Sequence, residues 1–446
     1  MIAMRFTFSI LLVISTLCLR TVPCQSAERV WGTLGDAFVA ENVGLRREWI
    51  VQVPFDSHAT RLTHVTIAEG LVLASTGDGS LHGIAAPVEP AEADLPTGLP
   101  TVGSVLWTHH RDPRTKSYFP PTAGNGIVVI AGDFVVTGIA AQSGHTLWKY
   151  PLPSPATGTP AISGDWVYVP IERGRLLRLP VNPLRKTSGL ENTLVTSGQD
   201  ETTTQETELK AVSFNDVDDD TSPWQISTHS SLAFPPLPIN KGLLWCTTAG
   251  TISRFLEATP DWIRLEFQLG RPPSGQLLIS NDSLFTAINS GTSASDVVRI
   301  DLLPTGNVFA WREPLTDSVR GAIWQLDNTI FVPLSTGGLT ALAAEDGRWL
   351  WTHSKKIQLL TIAANKLWCL DDMERLATVD PSDGRRLQQF CLDPFSIPVV
   401  NRHTDRLILA SPGGIITSLV SRRQQSNNET DGNTATNGEN PQEQQP

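Results

Sequence analysis

A short glycine-to-tryptophan pattern recurs along the chain and constrains its fold more than any other feature. Residues 140–148 and 343–351 align without a gap, and each ends in a glycine, three further residues and a tryptophan. Residues 103–107 repeat the same spacing. Each copy stands beside runs of aliphatic and β-branched residues of strand length. Such self-similarity is typical of a repeated unit that must stack on its neighbours to bury its apolar face.

The repeated unit reads as a four-stranded antiparallel sheet. Its strands are separated by turn residues, and the chain has 34 Gly and 32 Pro, which favours many short segments. One unit takes about forty residues, the length of one blade of a β-propeller. The sequence therefore predicts an all-β fold, a β-propeller of four-stranded antiparallel blades.

The number of units predicts eight blades, with seven as the alternative, because the length of the repeat region fits either number. The last unit, which ends near residue 420, has no outer strand of its own. Residues 47–53 form a strand-like run containing Trp49 before the first complete unit. We expect this N-terminal strand to complete the last blade and close the ring, which removes exposed sheet edges.

The recurring tryptophans are predicted to dock each blade against the next, since a large flat side chain buries much apolar area. The predicted docking residues are Trp49, Trp107, Trp148, Trp224, Trp311, Trp351, Gly144 and Gly347.

Several segments lie outside the predicted propeller, which spans residues 47–420. Residues 1–27 have the basic start, apolar stretch and small residues of a signal peptide, and an uncleaved membrane anchor is the alternative. We therefore expect an exported protein, periplasmic or extracellular, with no transmembrane span in the mature chain. Residues 28–46 are an N-terminal arm, and two acidic insertions occupy residues 87–103 and 182–222. Residues 421–446 form a polar tail that is predicted to be disordered.

The net charge of −11 argues against nucleic acid as a partner, because phosphates require a basic surface. Beyond the predicted signal peptide the cysteines are Cys246, Cys369 and Cys391, too few and too scattered for a disulfide framework. We interpret Cys246 and Cys369 as buried small apolar residues, and the sequence leaves open whether Cys369 and Cys391 pair.

The repeat at residues 343–351, with its acidic turn before the glycine and its final tryptophan, resembles the tryptophan-docking repeat of the pyrroloquinoline-quinone-like β-propellers. The resemblance covers about residues 47–420. This family includes quinoprotein alcohol dehydrogenases and cofactor-free periplasmic scaffolds similar to BamB. The resemblance is specific for fold and weak for function, because the same blades serve both enzymes and scaffolds.

The residues that quinoprotein dehydrogenases use are missing from this sequence. It has no adjacent cysteines, and no motif maps onto the calcium ligands and catalytic aspartate of that group. The oxygen-rich stretch 215–220 lacks the glycine and the bidentate glutamate of an EF-hand loop. His109 and His353 occupy equivalent repeat positions, which favours a structural role. We therefore predict no cofactor, no metal and no catalytic residue.

The sequence favours a non-enzymatic scaffold in the cell envelope that binds a protein or an extended peptide. The alternative is an enzyme or small-ligand binder acting at the central funnel, including a degenerate quinoprotein dehydrogenase. Exposed aromatic and arginine side chains on loops are typical anchors for a partner. The predicted partner-binding loop lies between the first two blades and contains Arg111, Arg114, Tyr118 and Phe119. We expect the protein to be a monomer.

Overall fold

The computed structural model describes residues 29–33, 37–68, 70–86, 102–110, 119–182, 224–240, 242–257, 262–303 and 306–422. Their strands form eight separate sheets, which are the eight blades of a β-propeller. This confirms the predicted fold class and decides between eight and seven blades. Each blade is an antiparallel meander, because its successive strands pair in chain order.

The elements follow one another in a regular order. Three precede the first complete blade: β1 (Arg29–Thr33), α1 (Ala37–Asn42) and β2 (Leu45–Gln52). Blades one to three comprise β3 (Leu62–Ala68), β4 (Leu71–Thr76), β5 (Leu81–Ala85) and β6 (Val105–His109); β7 (Thr122–Gly124), β8 (Ile127–Ala131), β9 (Val135–Ala140) and β10 (Thr146–Pro151); and β11 (Ala161–Ser163), β12 (Trp166–Ile171), β13 (Arg175–Pro180) and β14 (Trp224–Ser227).

The remaining blades continue the pattern. Blades four and five comprise β15 (Leu237–Ile239), β16 (Gly242–Cys246), β17 (Thr251–Glu257) and β18 (Trp262–Gln268); and β19 (Pro273–Ser280), β20 (Ser283–Asn289), β21 (Ser295–Leu303) and β22 (Gly306–Leu315), with the short β23 (Gly321–Ala322) added parallel to β19. Blades six to eight comprise β24 (Trp324–Leu326), β25 (Thr329–Pro333), β26 (Leu339–Ala343) and β27 (Trp349–His353); β28 (Ile357–Ala363), β29 (Lys366–Asp371), β30 (Leu376–Val379) and β31 (Arg386–Cys391); and β32 (Arg406–Ala410) with β33 (Ile415–Ser421).

The N-terminal strand completes blade eight. Strand β2 pairs antiparallel with β33 along its whole length, from Leu45 opposite Ser421 to Gln52 opposite Ile415. A single bridge between Ile397 and Ala410 stands where the first strand of this blade would be. The predicted closure of the ring is therefore confirmed, and it joins the two ends of the repeat region without a covalent bond.

The two faces of the ring carry different connections. The turn between the first and second strands of a blade and the turn between its third and fourth strands lie on one face, which we call the turn face. The turn between the second and third strands and the link to the next blade lie on the other, which we call the link face. First strands of neighbouring blades, such as β7 and β11, contact each other, which indicates that they converge around the axis.

The N-terminal arm is partly built into the ring. Strand β1 pairs in parallel with β31 at the outer edge of blade seven. Helix α1 and the residues after it bury Val39, Ala40 and Val43 in a cluster that includes Trp368 of blade seven and Leu407 of blade eight. The arm therefore covers apolar surface at the junction where the ring closes. Within the described ranges, no helix has the length and apolar character needed to cross a membrane.

Candidate functional site

The tryptophans of the outer strands contact glycines of the following blade. A Cβ placed on Gly144 of blade two would lie 2.7 Å from the Trp107 ring of blade one. Gly347 of blade six stands in the same relation to Trp311 of blade five, also at 2.7 Å. These glycines have φ values of 72° and 77°, a backbone region that an L side chain rarely adopts. Each glycine therefore serves two purposes, the left-handed turn and the close approach of a ring.

Hydrogen bonds extend the same contacts. Trp107 Nε1 donates to the carbonyl of Ala141 at 2.7 Å, and Trp351 Nε1 donates to that of Pro381 at 2.9 Å. Each acceptor lies in the turn that precedes the glycine contacted by that ring. Two residues after these tryptophans, His109 and His353 bond through Nδ1 to the carbonyls of the contacted glycines, at 3.2 and 2.9 Å. Burial lowers the pKa of His353, which favours its neutral form in this position.

A β-bulge beside Trp107, Trp148 and Trp351 directs each of these side chains toward the neighbouring blade. The pairing register of β10 with β9 shifts just before Trp148, so that Leu147 is left unpaired and 43% exposed. Opposite Trp148 in the third strand is Gly138, where a Cβ would lie only 2.3 Å from the ring. Gly83 stands in the same way opposite Trp107. These third-strand glycines are absent from the predicted docking set, and their spacing carries no constant signal, because Gly83 precedes Trp107 by 24 residues and Gly138 precedes Trp148 by 10.

The other predicted docking residues make different contacts at different blades. Trp49, on the closing strand, contacts Gly103 of blade one, where a Cβ would lie 2.5 Å from it. Trp148 Nε1 donates to the carbonyl of Val181 in blade three at 2.9 Å, next to the long insertion. The side chain of Trp224 lies outside the described residues. Trp351 contacts Gly384, a residue that was absent from the predicted set.

The predicted partner-binding loop is described only at its end. Arg111, Arg114 and Tyr118 lie outside the described residues, and Phe119 is half-buried. Phe119 stands just before β7, at the end of the link from blade one, and therefore lies on the link face. The same face exposes Phe134 in a turn of blade two and Met373 in a turn of blade seven, at 59% and 67%. Large exposed apolar side chains at turns are the kind of feature that protein partners contact.

A pocket opens on the turn face where the first strands of blades five and six approach the axis. Its volume is about 380 Å³. Half-buried Leu278 supplies an apolar contact, while Asn281 and Asp327 contribute polar groups. Arg402 lines the pocket from the opposite side. We call this cavity the axial pocket.

Arg402 reaches the axial pocket from blade eight. The main chain before it is held to blade seven, because the Asn401 N–H donates to the carbonyl of Leu360 at 2.8 Å. The Arg402 guanidinium then donates to the carbonyl of Ile323 at 3.0 Å and lies 5.7 Å from the ring centre of Trp324. A side chain of blade eight thus crosses the turn face past blade seven to reach blade six. Sequence reasoning missed Arg402, because its position in an irregular connection carries no repeat signal.

Metal-ligating side chains do not assemble in the described part of the chain: no group of three or more His, Cys, Asp or Glu is close enough to hold an ion. The oxygen-rich stretch 215–220 falls outside it. Cys246 and Cys369 are fully buried in two different blades, Cys391 is exposed, and all three are free thiols. Burial raises the pKa of Cys246 to about 12, so this thiol stays protonated at neutral pH.

The repeat has a counterpart among known families. The sequence model of the family described as "outer membrane protein assembly factor BamB" matches residues 99–185 and 263–422, more than half of the chain. The chain belongs to this BamB family. The predicted resemblance to the pyrroloquinoline-quinone-like propellers is confirmed. No protein with a curated description matches the sequence.

Solved structures agree with the BamB-family fold. BamB from Moraxella catarrhalis shares 16% identity and a TM-score of 0.57, over 85% of this chain and 99% of that one. A computationally designed protein, Ika8, matches with 13% identity and a TM-score of 0.55, over 82% of this chain and 98% of its own. At these identities the likeness concerns the fold alone.

In the part of this BamB-family chain that the structure describes, neither an adjacent cysteine pair nor a cluster of metal ligands is found. The described cysteines stand singly in separate strands, so no pair can stack as an adjacent disulfide on a cofactor ring. Four tryptophans of the outer strands donate their indole N–H groups to the following blade: Trp107, Trp148, Trp311 and Trp351. We derive no chemistry through such a cofactor.

Proposed function

We propose that this protein is an exported, non-enzymatic scaffold that binds a protein or an extended peptide in the cell envelope. The observation that carries the proposal is membership of the BamB family, joined to a closed ring in which the blades dock tightly. A rigid ring leaves its loops free to vary, and loops on a rigid frame are where recognition concentrates.

We assign partner binding to the link face. The exposed Phe134 and Met373 lie on this face, as does Phe119. We assign Arg111, Arg114 and Tyr118, which precede Phe119 in the chain, to the same partner-binding surface. Aromatic, methionine and arginine side chains are enriched in protein interfaces, because they bury much area and donate several hydrogen bonds. A partner that crosses the link face would contact several blades together.

Photo-crosslinking in the native envelope tests this assignment. A photoreactive phenylalanine analogue is placed at Phe119, Phe134 or Met373, and at Leu147 as the control. Leu147 belongs to blade two, like Phe134, and is exposed on an outer strand away from the link face. We expect one discrete protein adduct shared by the three link-face positions and absent at Leu147. Adducts of equal yield at Leu147, or none at the link face, would contradict the proposal.

Export is tested separately. Cell fractionation followed by N-terminal sequencing of the purified protein should find it outside the cytoplasm, with a new N-terminus near residue 27. Recovery of the uncleaved chain with the membrane would instead support an anchor. Recovery from the cytoplasm with Met1 in place would overturn export.

A further inference from the structure

We infer that the axial pocket is a binding site for a small organic carboxylate, which pairs with Arg402 and packs its apolar part against Leu278. The site lies on the turn face, away from the link face. The inference therefore does not depend on partner binding, and either can fail without the other.

Arg402 carries the argument because it is a half-buried cation without a carboxylate partner among the described residues. Its guanidinium has one backbone acceptor, the carbonyl of Ile323, and the face of Trp324. Asp327 lines the same pocket, yet no ion pair joins the two side chains. A guanidinium presents five donors in a planar fork, so most of these donors have no protein acceptor among the described residues.

The surroundings of Arg402 leave its positive charge unbalanced. Burial lowers the pKa of Arg402, which means that the protein disfavours the charged form at this position. The pKa of the neighbouring His403 is lowered by burial and then by the charge of Arg402. Removing a cation from water without a counter-ion costs free energy that structural pairing usually offsets. An anionic ligand would supply the missing counter-charge.

The shape of the pocket limits the ligand to a small molecule. A volume of about 380 Å³ lies at the lower end of the range for ligand sites. Carboxylates match the guanidinium fork with two parallel hydrogen bonds. Leu278 provides one apolar side chain, and the exposed Asn281 side chain offers a donor and an acceptor. This arrangement suits a compact acid with an apolar body better than a bare inorganic ion.

Matched probes separate charge recognition from apolar binding. Binding of benzoate, succinate, benzamide and inorganic phosphate to the whole protein is measured by calorimetry and by the shift in unfolding temperature, at constant ionic strength. Benzamide has the shape of benzoate without the charge. We expect benzoate or succinate to bind and raise the unfolding temperature, and benzamide to do neither. Binding of phosphate alone, equal binding of benzamide, or no binding of either carboxylate would overturn the inference.

Two variants locate the site. R402M is expected to weaken carboxylate binding at least about tenfold, the loss of roughly one charge-assisted hydrogen bond. R348M is the control, because Arg348 lies on the same face and its side chain is 72% exposed. R402M without ligand should unfold at or above the wild-type temperature, since methionine removes a half-buried cation that has no carboxylate partner in the described ranges. An R402M protein that binds the carboxylate as tightly as the wild type would sink the assignment.

Discussion

At the scale of single residues, the ring depends on glycines whose missing side chain makes room for a neighbour. Gly144 and Gly126 are both in blade two and have nearly equal φ values of 72° and 77°. A Cβ on Gly144 would overlap Trp107, whereas a Cβ on Gly126 would meet nothing within 4 Å. Alanine substitutions at Gly144 and Gly126 therefore separate the loss of stability due to backbone strain from the loss due to a disturbed inter-blade contact.

We predict that G144A destabilises the protein more than G126A. Alanine at positive φ costs about 1 kcal/mol at either site. G144A should cost about 2 kcal/mol more, because the new methyl group pushes Trp107 from its place. Urea unfolding followed by circular dichroism measures both. Equal losses in the two variants would show that the tryptophan contact contributes little.

Asp371 is a single residue whose contribution to folding stability depends on pH. Its side chain is fully buried and accepts hydrogen bonds from the Arg375 side chain and from the backbone N–H groups of Met373 and Arg375. Burial acts to raise the pKa of Asp371, but these hydrogen bonds and the Arg375 charge together lower it below its ordinary value. The carboxylate is therefore stabilised more in the folded protein than in the unfolded chain.

We expect D371N to cost about 2 kcal/mol at pH 7, because the amide cannot replace the charged acceptor. A depressed pKa contributes stability that is fully present above the unfolded value, about 4, and is lost as the pH falls through the folded value. The difference in unfolding free energy between wild type and D371N should therefore shrink below about pH 4. Urea titrations between pH 3 and 7 check this, and a difference that stays constant over that range would contradict it.

At the scale of elements, the outer strand of each docking blade combines a bulge with a tryptophan. The register shift lets that side chain leave the regular alternation and lie between blades. Strand β27 shows both environments: Trp349 is 56% exposed, and Trp351, two residues later, is 6% exposed. The inter-blade contact therefore belongs to one position of the strand and not to tryptophan as such.

We predict that W351A costs about 4 kcal/mol, the range for truncating a large buried aromatic side chain. W349A, in the same strand, should stay within about 0.5 kcal/mol of the wild type. Denaturant unfolding of the two variants makes the comparison. A W349A loss equal to that of W351A would mean that the strand itself, and not docking between blades, is responsible.

At the scale of the whole molecule, stability depends on a seam between residues far apart in sequence. Glu48 of the closing strand accepts two hydrogen bonds from Arg406, at 2.9 and 3.1 Å, and one from Ser418 at 3.2 Å. The Arg406 side chain is 3% exposed and that of Glu48 is 14% exposed. This buried, bidentate pair joins β2 to β32 across the intervening strand β33.

We expect E48Q to destabilise the ring by about 2 kcal/mol, because the amide removes the negative charge that accepts two hydrogen bonds from buried Arg406. D346N is the control: Asp346 and Arg348 form an exposed pair at 3.9 Å, and its loss should cost less than about 0.5 kcal/mol. Thermal and urea unfolding measure both. Equal losses of unfolding free energy in E48Q and D346N would show that the Glu48–Arg406 pair contributes no more than an exposed ion pair.

Much of the architecture could be predicted, because each repeat unit consists of local sequence patterns. Strand runs, turn residues and the glycine-to-tryptophan spacing predicted the blades and the closing strand. The docking contacts could be anticipated at Trp107 with Gly144, since both belong to the repeat. The parallel pairing of β1 with β31 could not, because that pairing joins the first described strand to one near the other end of the chain.

The axial pocket was beyond sequence reasoning for a related reason. Arg402 lies in a connection without periodicity, and nothing near it in sequence resembles the blades it reaches. Its neighbours Ile323 and Leu278 are distant along the chain and meet it only because first strands converge at the axis. Irregular segments carry no pattern that indicates which distant residues they contact.

The sequence by itself determined that this chain folds as a ring of like blades, because every unit repeats the local signals of strand, turn and docking residue. The tertiary structure decided the number of blades, since closure depends on the summed twist and packing of all units and a seven-bladed ring also fitted the length. It also decided that the arm packs across the seam and that a cation of blade eight faces the axial pocket. These contacts join residues far apart in the chain, and only the closed ring brings them together.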